Sequence, residues 1–142
     1  MAIGCWFRQN STMQLLAKHA KDAIQFSYAP YSTFKVSAAV RGDNNQIYTG
    51  VNVENASYSL TQCAERTAIC TAIASGAKSI TEIVVYTPTE HPTAPCGACR
   101  QVILEFGPAV KVRSVCDSDL QLNWTLLDLL PQSFKPEQLN QP

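Results

Sequence analysis

The sequence predicts an α/β fold, a three-layer α/β/α sandwich in which helices cover both faces of a mixed β-sheet. Segments with apolar residues at helical spacing alternate with short apolar runs typical of strands, and only the polar turn "DNN" separates the first two strand segments. Alternating strands and helices favour parallel pairing, whereas a short turn makes an antiparallel hairpin. The 142 residues are expected to form one domain, with loose or subunit-contacting tails at 1–10 and 136–142.

The first half of the chain contains a helix, the hairpin and a second helix. Ser11 and Thr12 are suitable caps for the helical pattern "MQLLAKHAKDAIQFSY", which should end before Pro30 because a residue that precedes proline disfavours helical geometry. "FKVSAAVRG" and "QIYTGVNVEN" have the patterns of paired strands. "TQCAERTAICTAIASG" has helical spacing and ends at Gly76, a favoured residue at helix ends.

The second half continues the alternation. "SITEIVVYTP" predicts a strand, and a helix follows from about Cys96 to Phe106, closed by Gly107 and Pro108. "AVKVRSVCD" predicts another strand and "TLLDLLPQSF" a short final helix. These patterns place four strands on the sequence.

The charge content narrows the classes of function. Charged residues make up 15% of the chain, and 11 Lys+Arg balance 11 Asp+Glu. Without a basic run, a sequence-independent grip on nucleic acid is poorly supported, and a large buried interface is one explanation for so few charges. The apolar runs are too short to span a bilayer, and the start does not have the pattern of a signal peptide. We therefore expect a cytoplasmic protein whose six cysteines are thiols or metal ligands.

Cys96 and Cys99 form a C-x-x-C pair that is compatible with a redox couple, a structural zinc site or a catalytic zinc site. Cys63 also begins a predicted helix, and Glu65 follows two residues later. Helix N-termini favour thiolates over thiols, and in a first turn both Cys63 and Glu65 can face one cavity. Two helix starts could then supply three thiolates to one zinc ion and leave Glu65 uncoordinated beside its open position.

The rival interpretations of the pair are weaker. Thioredoxin-like redox pairs usually follow a first strand near the N-terminus, whereas this pair lies about two-thirds along the chain. A structural zinc site needs a second closely spaced ligand pair, and Cys63-x-Glu65 is a poor one. For Cys5, Cys70 and Cys116 a small buried hydrophobe is the simpler interpretation.

The motifs "CAER" at 63–66 and "PCGACRQ" at 95–101 match the zinc-dependent deaminase signature, a ligand-x-Glu followed by P-C-x-x-C. With cysteine as the first ligand, the chain resembles the small homotetrameric cytidine deaminases. The resemblance extends through "YAPYSTFKVSAAV", "GVNVENASY" and "LLPQSF", from about Ser27 to Phe134.

The resemblance implies hydrolytic deamination of cytidine and deoxycytidine to uridine and deoxyuridine plus ammonia, in pyrimidine salvage. It implies a sheet of about five strands, one Zn²⁺ per subunit and a homotetramer with shared active sites. Zinc supplies hydroxide for attack at C4 by lowering the pKa of bound water. Glu65 is expected to transfer protons to N3 and to the departing ammonia. Arg66 is expected to hydrogen-bond a ligand sulfur and offset the charge of three thiolates.

The resemblance also implies contacts with the nucleoside. Asn52 and Glu54, two residues apart on the predicted strand, share a face and would bind the sugar hydroxyls, chiefly the 3′-OH. Backbone groups of Ala64 and of the Pro95–Cys96 region would hold the base edge and orient the leaving amine. Phe34 would stack on the pyrimidine.

Three more aromatic residues are assigned by the resemblance. Tyr31 and Tyr58 match positions near the sugar and the subunit boundary, and Phe134 would reach into a neighbouring subunit's site.

The sequence departs from the family pattern at Ser37, because family members commonly have glycine at this position of "FKVSAAV". Its hydroxyl could tighten the packing beneath the pocket or add a hydrogen bond, which affects substrate preference more than reaction class.

Three alternatives stay open from the sequence. A blasticidin-type deaminase shares the three-cysteine site but would lack the sugar-reading N-x-E-N-A block. A non-catalytic zinc-binding paralogue would be expected to lose Glu65. An editing role on RNA or DNA is weaker, because a neutral chain offers no basic channel for flanking phosphates.

Overall fold

The computed structural model describes residues 11–140, which form five strands, four α-helices and three short 3₁₀ turns. In chain order the main elements are α1 (Ser11–Ala23), β1 (Ser37–Gly42), β2 (Ile47–Val51), α2 (Ala64–Ala74), β3 (Ile80–Tyr86), α3 (Gly97–Phe106), β4 (Lys111–Val115), β5 (Gln121–Thr125) and α4 (Leu126–Leu129). No helix within this range is long and apolar enough to cross a membrane.

The strands form one mixed sheet in the order β2-β1-β3-β4-β5. β1 pairs antiparallel with β2, as the short turn predicts, and antiparallel with β3 on its other side. β3 and β4 are parallel, since α3 connects them, and β5 returns antiparallel to β4. The prediction of a mixed sheet of about five strands is therefore confirmed.

Helices cover both faces of this sheet, which confirms the three-layer prediction. On one face α1 buries Met13, Leu16 and Ala20 against the strands. On the other face α2, α3 and α4 share a larger apolar cluster with the sheet. Residues of opposite parity in β1 and β3 supply the two clusters, because side chains alternate across a strand.

Two segments differ from their predictions. The strand Gln121–Thr125 was not located from sequence, because at a half-exposed sheet edge its short alternation of polar and apolar residues is a weak signal. The final helix is shorter than "TLLDLLPQSF" suggests and spans only Leu126–Leu129. Thr125 caps it, since the Thr125 hydroxyl accepts a hydrogen bond from the Asp128 backbone N–H.

α2 lies unusually close to β2. A Cβ on Gly50 of β2 would lie 2.2 Å from the backbone nitrogen of Ala68, so only glycine permits this approach. Because Cys63 and Glu65 belong to the start of α2, the contact at Gly50 fixes how far the predicted site residues lie from the sheet.

Cys70 lies in the middle of α2, and Cys116 directly follows β4. Cys116 is buried, as predicted, but Cys70 is exposed on α2, so the interpretation of Cys70 as a buried hydrophobe is wrong. Cys5 lies outside the described residues.

Ser37 is fully buried, and its hydroxyl donates a 2.6 Å hydrogen bond to the Ala20 carbonyl of α1. In β1 it alternates with Ala38 and therefore faces the α1 layer, away from α2 and α3. Of the two effects considered from sequence, the structure supports the added hydrogen bond. Ser37 thus ties the first helix to the central sheet.

Replacing Ser37 with alanine removes this hydrogen bond and keeps the strand backbone. We expect the free energy of unfolding to fall by about 0.5–1.5 kcal/mol, measured by urea unfolding at fixed protein concentration. Ser75→Ala is the control, because Ser75 is exposed and its side chain makes no hydrogen bond within residues 11–140. Equal unfolding midpoints for the two variants would contradict a stabilising role for the Ser37 hydroxyl.

Candidate metal centre and active site

Three cysteine sulfur atoms converge where α2 and α3 begin. Cys63 is the N-cap residue of α2, Cys96 is the N-cap residue of α3, and Cys99 lies in the first turn of α3. Their Sγ atoms all lie within 4.8 Å of one another, and those of Cys63 and Cys96 are 3.9 Å apart. The structure thus brings together the three residues predicted as ligands.

The cluster fits a tetrahedral metal ion. Zinc–sulfur bonds of about 2.3 Å in a tetrahedron place neighbouring sulfur atoms about 3.8 Å apart. The separation of Cys63 and Cys96 matches that value, and Cys99 lies within a small adjustment of it. The described residues supply three sulfur ligands, so a tetrahedral ion here would keep one position for a small molecule, as in catalytic rather than structural sites.

The surrounding groups stabilise negative charge on sulfur. Hydrogen bonds from Cys99 and Arg66 lower the pKa of Cys63 to about 5, and the Cys99 thiol, which donates to that thiolate, has its own pKa raised. The Arg66 Nη2 donates to the Thr61 carbonyl at 2.9 Å and to Cys63 Sγ at 3.8 Å. These contacts place Arg66 beside a ligand sulfur, where the sequence interpretation expected it.

The Arg66 guanidinium can make further favourable interactions with the three cysteines. Its buried Nε has no hydrogen-bond partner among the described residues, and its charge interacts with all three cysteines. A buried N–H without a partner is costly unless an acceptor or an anion lies nearby. Three thiolates on one ion provide that negative charge.

Glu65 lies in the first turn of α2 and is only 5% exposed. Burial raises the pKa of its carboxyl, and the negative charge of Cys63 adds to the effect. A carboxyl whose pKa moves towards neutrality can both accept and donate a proton under ordinary conditions. Glu65 also lines the cavity that opens beside the cysteines, so its environment suits a proton carrier.

A cavity of about 270 Å³ opens next to the cluster. Its walls include most of the predicted site residues, namely Phe34, Asn52, Glu54, Cys63, Ala64, Glu65 and Cys96. Cys99 is buried behind them. The walls also include residues that the sequence interpretation did not single out: Ser32, Val36, Thr61, Val85, Thr93 and Ala94. Among the described residues of the lining, Glu54, Glu65 and the cysteines are ionisable, and none is a lysine or an arginine.

Asn52 is 8% exposed and is largely used within the fold. Its side-chain oxygen accepts from the Val36 N–H at 2.9 Å and from the Ser27 hydroxyl, while its Nδ2 donates to the Phe34 carbonyl at 2.8 Å. One amide hydrogen is left for a ligand. Asn52 therefore holds the segment around Phe34 in addition to lining the cavity.

Glu54 anchors the loop that carries Phe34. Its carboxylate accepts from the backbone N–H groups of Tyr31 at 2.8 Å and Ser32 at 3.2 Å, and from the Ser32 hydroxyl. The Ser32 hydroxyl bond is the largest cause of a lowered pKa for Glu54, so the group is a carboxylate. The same hydroxyl accepts from the Phe34 N–H at 3.0 Å, which fixes the 40% exposed ring at the cavity.

The remaining predicted aromatic residues lie outside this cavity. Tyr31 and Tyr58 have ring centroids 6.0 Å apart and line an adjoining cavity of about 380 Å³, which shares Ser32 and Glu54 with the first. Phe134 is 58% exposed and lines a separate cavity of about 430 Å³ beside α4. The chain does not bring its own Phe134 to its own cysteine cluster.

Arg100 is a positioning residue that the sequence interpretation did not identify. Its Nε donates to the Pro95 carbonyl at 2.8 Å, and its Nη1 donates to the Leu129 carbonyl at 2.9 Å. It therefore ties the turn that precedes Cys96 to the end of α4. Its place immediately after Cys99 is the only hint in the sequence.

Residues 10–115 match the family described as the cytidine and deoxycytidylate deaminase zinc-binding region. The chain is 43% identical to a cytidine deaminase of Halalkalibacterium halodurans over 89% of this chain and 97% of that protein. It is 41% identical to a cytidine deaminase of Sporosarcina psychrophila over 90% and 95% of the two chains. The crystal structure of a cytidine deaminase from Burkholderia pseudomallei superposes with a TM-score of 0.81 at 44% identity, covering 85% of this chain and 98% of that one.

Replacing Cys63, Cys96 or Cys99 with serine removes one sulfur ligand. We expect each variant to lose the equivalent of Zn²⁺ or Co²⁺ that the unaltered chain retains after dialysis, measured by metal analysis. Cys70→Ser is the matched control, because Cys70 is exposed and outside the cluster. Full metal retention by any of the three cluster variants would contradict the ligand set.

Proposed function

The chain belongs to the cytidine and deoxycytidylate deaminase family, and from that premise we propose that it hydrolyses cytidine and deoxycytidine to uridine and deoxyuridine plus ammonia. The observation that carries the proposal is the buried Glu65 carboxyl in a cavity that also exposes two sulfur atoms of a three-cysteine cluster. A hydrolytic deaminase needs those two components together, a metal site and a proton carrier.

We assign one Zn²⁺ per chain to Cys63, Cys96 and Cys99. When bound, zinc lowers the pKa of water so that hydroxide is available at neutral pH. Three thiolates exceed the charge of a divalent ion, and the adjacent Arg66 offsets the excess through its contact with Cys63. The donor set and its separations support this assignment.

Glu65 acts as the proton carrier. Its carboxylate takes a proton from the attacking water and delivers it to N3 of the pyrimidine, which makes C4 more electrophilic. It then takes the proton of the new C4 hydroxyl and passes it to the exocyclic amine, which departs as ammonia while the C4 carbonyl forms and N3 keeps its proton. Burial supports both roles, because it raises the carboxyl pKa towards the range in which protons are gained and lost readily.

The cavity favours a nucleoside over a nucleotide. Phe34 offers an exposed ring face for the base, while Glu54 and the remaining Asn52 amide hydrogen offer partners for sugar hydroxyls. A phosphate would meet the Glu54 carboxylate, and within residues 11–140 no lysine or arginine lines either of the two adjoining cavities. The contacts thus favour cytidine and deoxycytidine rather than deoxycytidylate.

We propose that the working unit is a homotetramer with shared active sites, in the cytoplasm. Large apolar side chains are exposed on the single chain, among them Phe26, Tyr58, Leu60, Leu127 and Phe134. A surface of this kind favours burial against further copies. Phe134 lies outside its own chain's active-site cavity, which supports its assignment to a neighbouring subunit's site, while Tyr31 and Tyr58 line the adjoining cavity.

Glu65→Gln keeps the size of the side chain and removes its proton transfer. We expect the rate of cytidine absorbance loss to fall about 100- to 10,000-fold, with zinc content unchanged. Glu105→Gln is the control, because Glu105 is exposed on α3 and does not line the active-site cavity. An unaltered protein that binds about one zinc per chain yet converts neither nucleoside would overturn the proposed function.

Mixed assemblies test the shared site. Phe134→Ala chains carry Glu65, and Glu65→Gln chains carry Phe134, so a tetramer that contains both can build complete sites. We expect co-assembled chains to turn over subsaturating cytidine faster than the sum of the two variants assembled separately. A mixture of Glu65→Gln and Cys63→Ser chains is the control, since both changes damage metal or proton chemistry in each chain's own site. Turnover equal to the sum would contradict a contribution of Phe134 across subunits.

A further inference from the structure

Three threonine hydroxyls connect the end of β3 to the active-site cavity. Thr87 is fully buried immediately after β3, and its Oγ1 lies 2.8 Å from the Oγ1 of Thr89. On its other side it lies 3.5 Å from the Oγ1 of Thr93, a half-buried residue on the cavity wall. Thr89 in turn donates to the His91 carbonyl at 2.7 Å.

Only one arrangement of protons makes all three hydrogen bonds. A hydroxyl has one hydrogen to donate and two lone pairs that accept. The Thr89 hydrogen is directed to the His91 carbonyl, so Thr87 must donate to Thr89. The Thr87 hydrogen is then used, and Thr93 must donate to Thr87. The Thr93 oxygen is left with lone pairs and no hydrogen for a ligand.

The loop that carries these hydroxyls is held by several hydrogen bonds to neighbouring segments. The Thr87 and Thr89 backbones bond to the segment after β4, through Thr87 N–H to the Val115 carbonyl and Asp117 N–H to the Thr89 carbonyl. The Ser118 hydroxyl donates to the Glu90 carbonyl at 2.8 Å. The three threonines therefore belong to a turn with several independent anchors.

We propose that Thr93 is a specificity-determining residue whose acceptor-only hydroxyl favours the exocyclic amine of the substrate over the carbonyl of the product. The proposal rests on the proposed function. Thr93 and Ala94 precede Cys96 closely in the chain, and all three line the same cavity as Cys63 and Glu65, so Thr93 belongs to the wall beside the metal cluster. In the proposed function the exocyclic amine of cytidine presents N–H donors to this part of the wall, whereas the C4 carbonyl of uridine presents an acceptor. The lone pairs of the Thr93 hydroxyl attract a donor and repel an acceptor.

The direct test is the ratio of the dissociation constants of uridine and cytidine, measured by calorimetry on zinc-loaded Glu65→Gln protein, which is expected to consume cytidine about 100- to 10,000-fold more slowly than the unaltered enzyme. Adding Thr93→Val, which removes the hydroxyl and keeps the shape, should lower this ratio about three- to tenfold. Adding Thr93→Ser instead should restore it. Thr71→Val, an exposed change on α2, should leave it unaltered.

Thr87→Val tests the direction of the hydrogen bonds, because Thr87 does not line the cavity. Without its acceptor, the Thr93 hydroxyl can rotate and donate to a ligand, so uridine should bind more tightly while cytidine binding changes little. An unchanged ratio in both valine variants overturns the proposal, as does a ratio that rises in Thr93→Val. Failure of the unaltered enzyme to convert either nucleoside overturns the proposed function instead, and the binding ratios are measured independently of it.

Discussion

The concentration of negative charge at three cysteine sulfurs is the constraint on which the rest of the site depends. Three Sγ atoms within 4.8 Å of one another cannot all be thiolates unless nearby groups or a cation offset their repulsion. Two helix N-termini and Arg66 supply part of that compensation, and the fold must hold both helix starts together to do so. The close contact of α2 with β2 at Gly50 fixes one of them, and Arg100 fixes the turn that leads into the other.

The negative charge of this cluster also determines which ligands the cavity can accept. Burial, together with the negative charge of Cys63, raises the pKa of Glu65. The same negative charge would repel a phosphate, since no lysine or arginine stands among the described residues that line the cavity. In the proposed function, recognition of a neutral nucleoside is therefore assigned to an exposed ring, amide and carboxylate groups, and hydroxyls. Several of these groups serve the fold as well, since Glu54 anchors the loop that presents Phe34.

Much of this site could be predicted from the sequence, because its chemistry is local to two helix starts. Cys63 with Glu65, and Cys96 with Cys99, each lie within one first turn, so spacing alone places them on the correct elements. Spacing could not predict the contacts between segments that are far apart in the sequence. The hydrogen bonds that occupy most of the Asn52 side chain, and the link from Thr87 to Thr93, depend on side-chain directions that spacing does not encode.

The fold shows the same division between local and distant information. The alternation of helices and strands predicted the three layers, yet the edge strand Gln121–Thr125 was not located because half-exposed edges need little apolar periodicity.

Cytidine turnover, followed as Zn²⁺ is returned to chelator-treated protein, tests whether the cysteine cluster is a catalytic metal site for a nucleoside. We expect no turnover without metal. The rate of cytidine turnover should then rise linearly with added Zn²⁺ and level off at one ion per chain. Full turnover by metal-free protein would contradict a catalytic role for the metal.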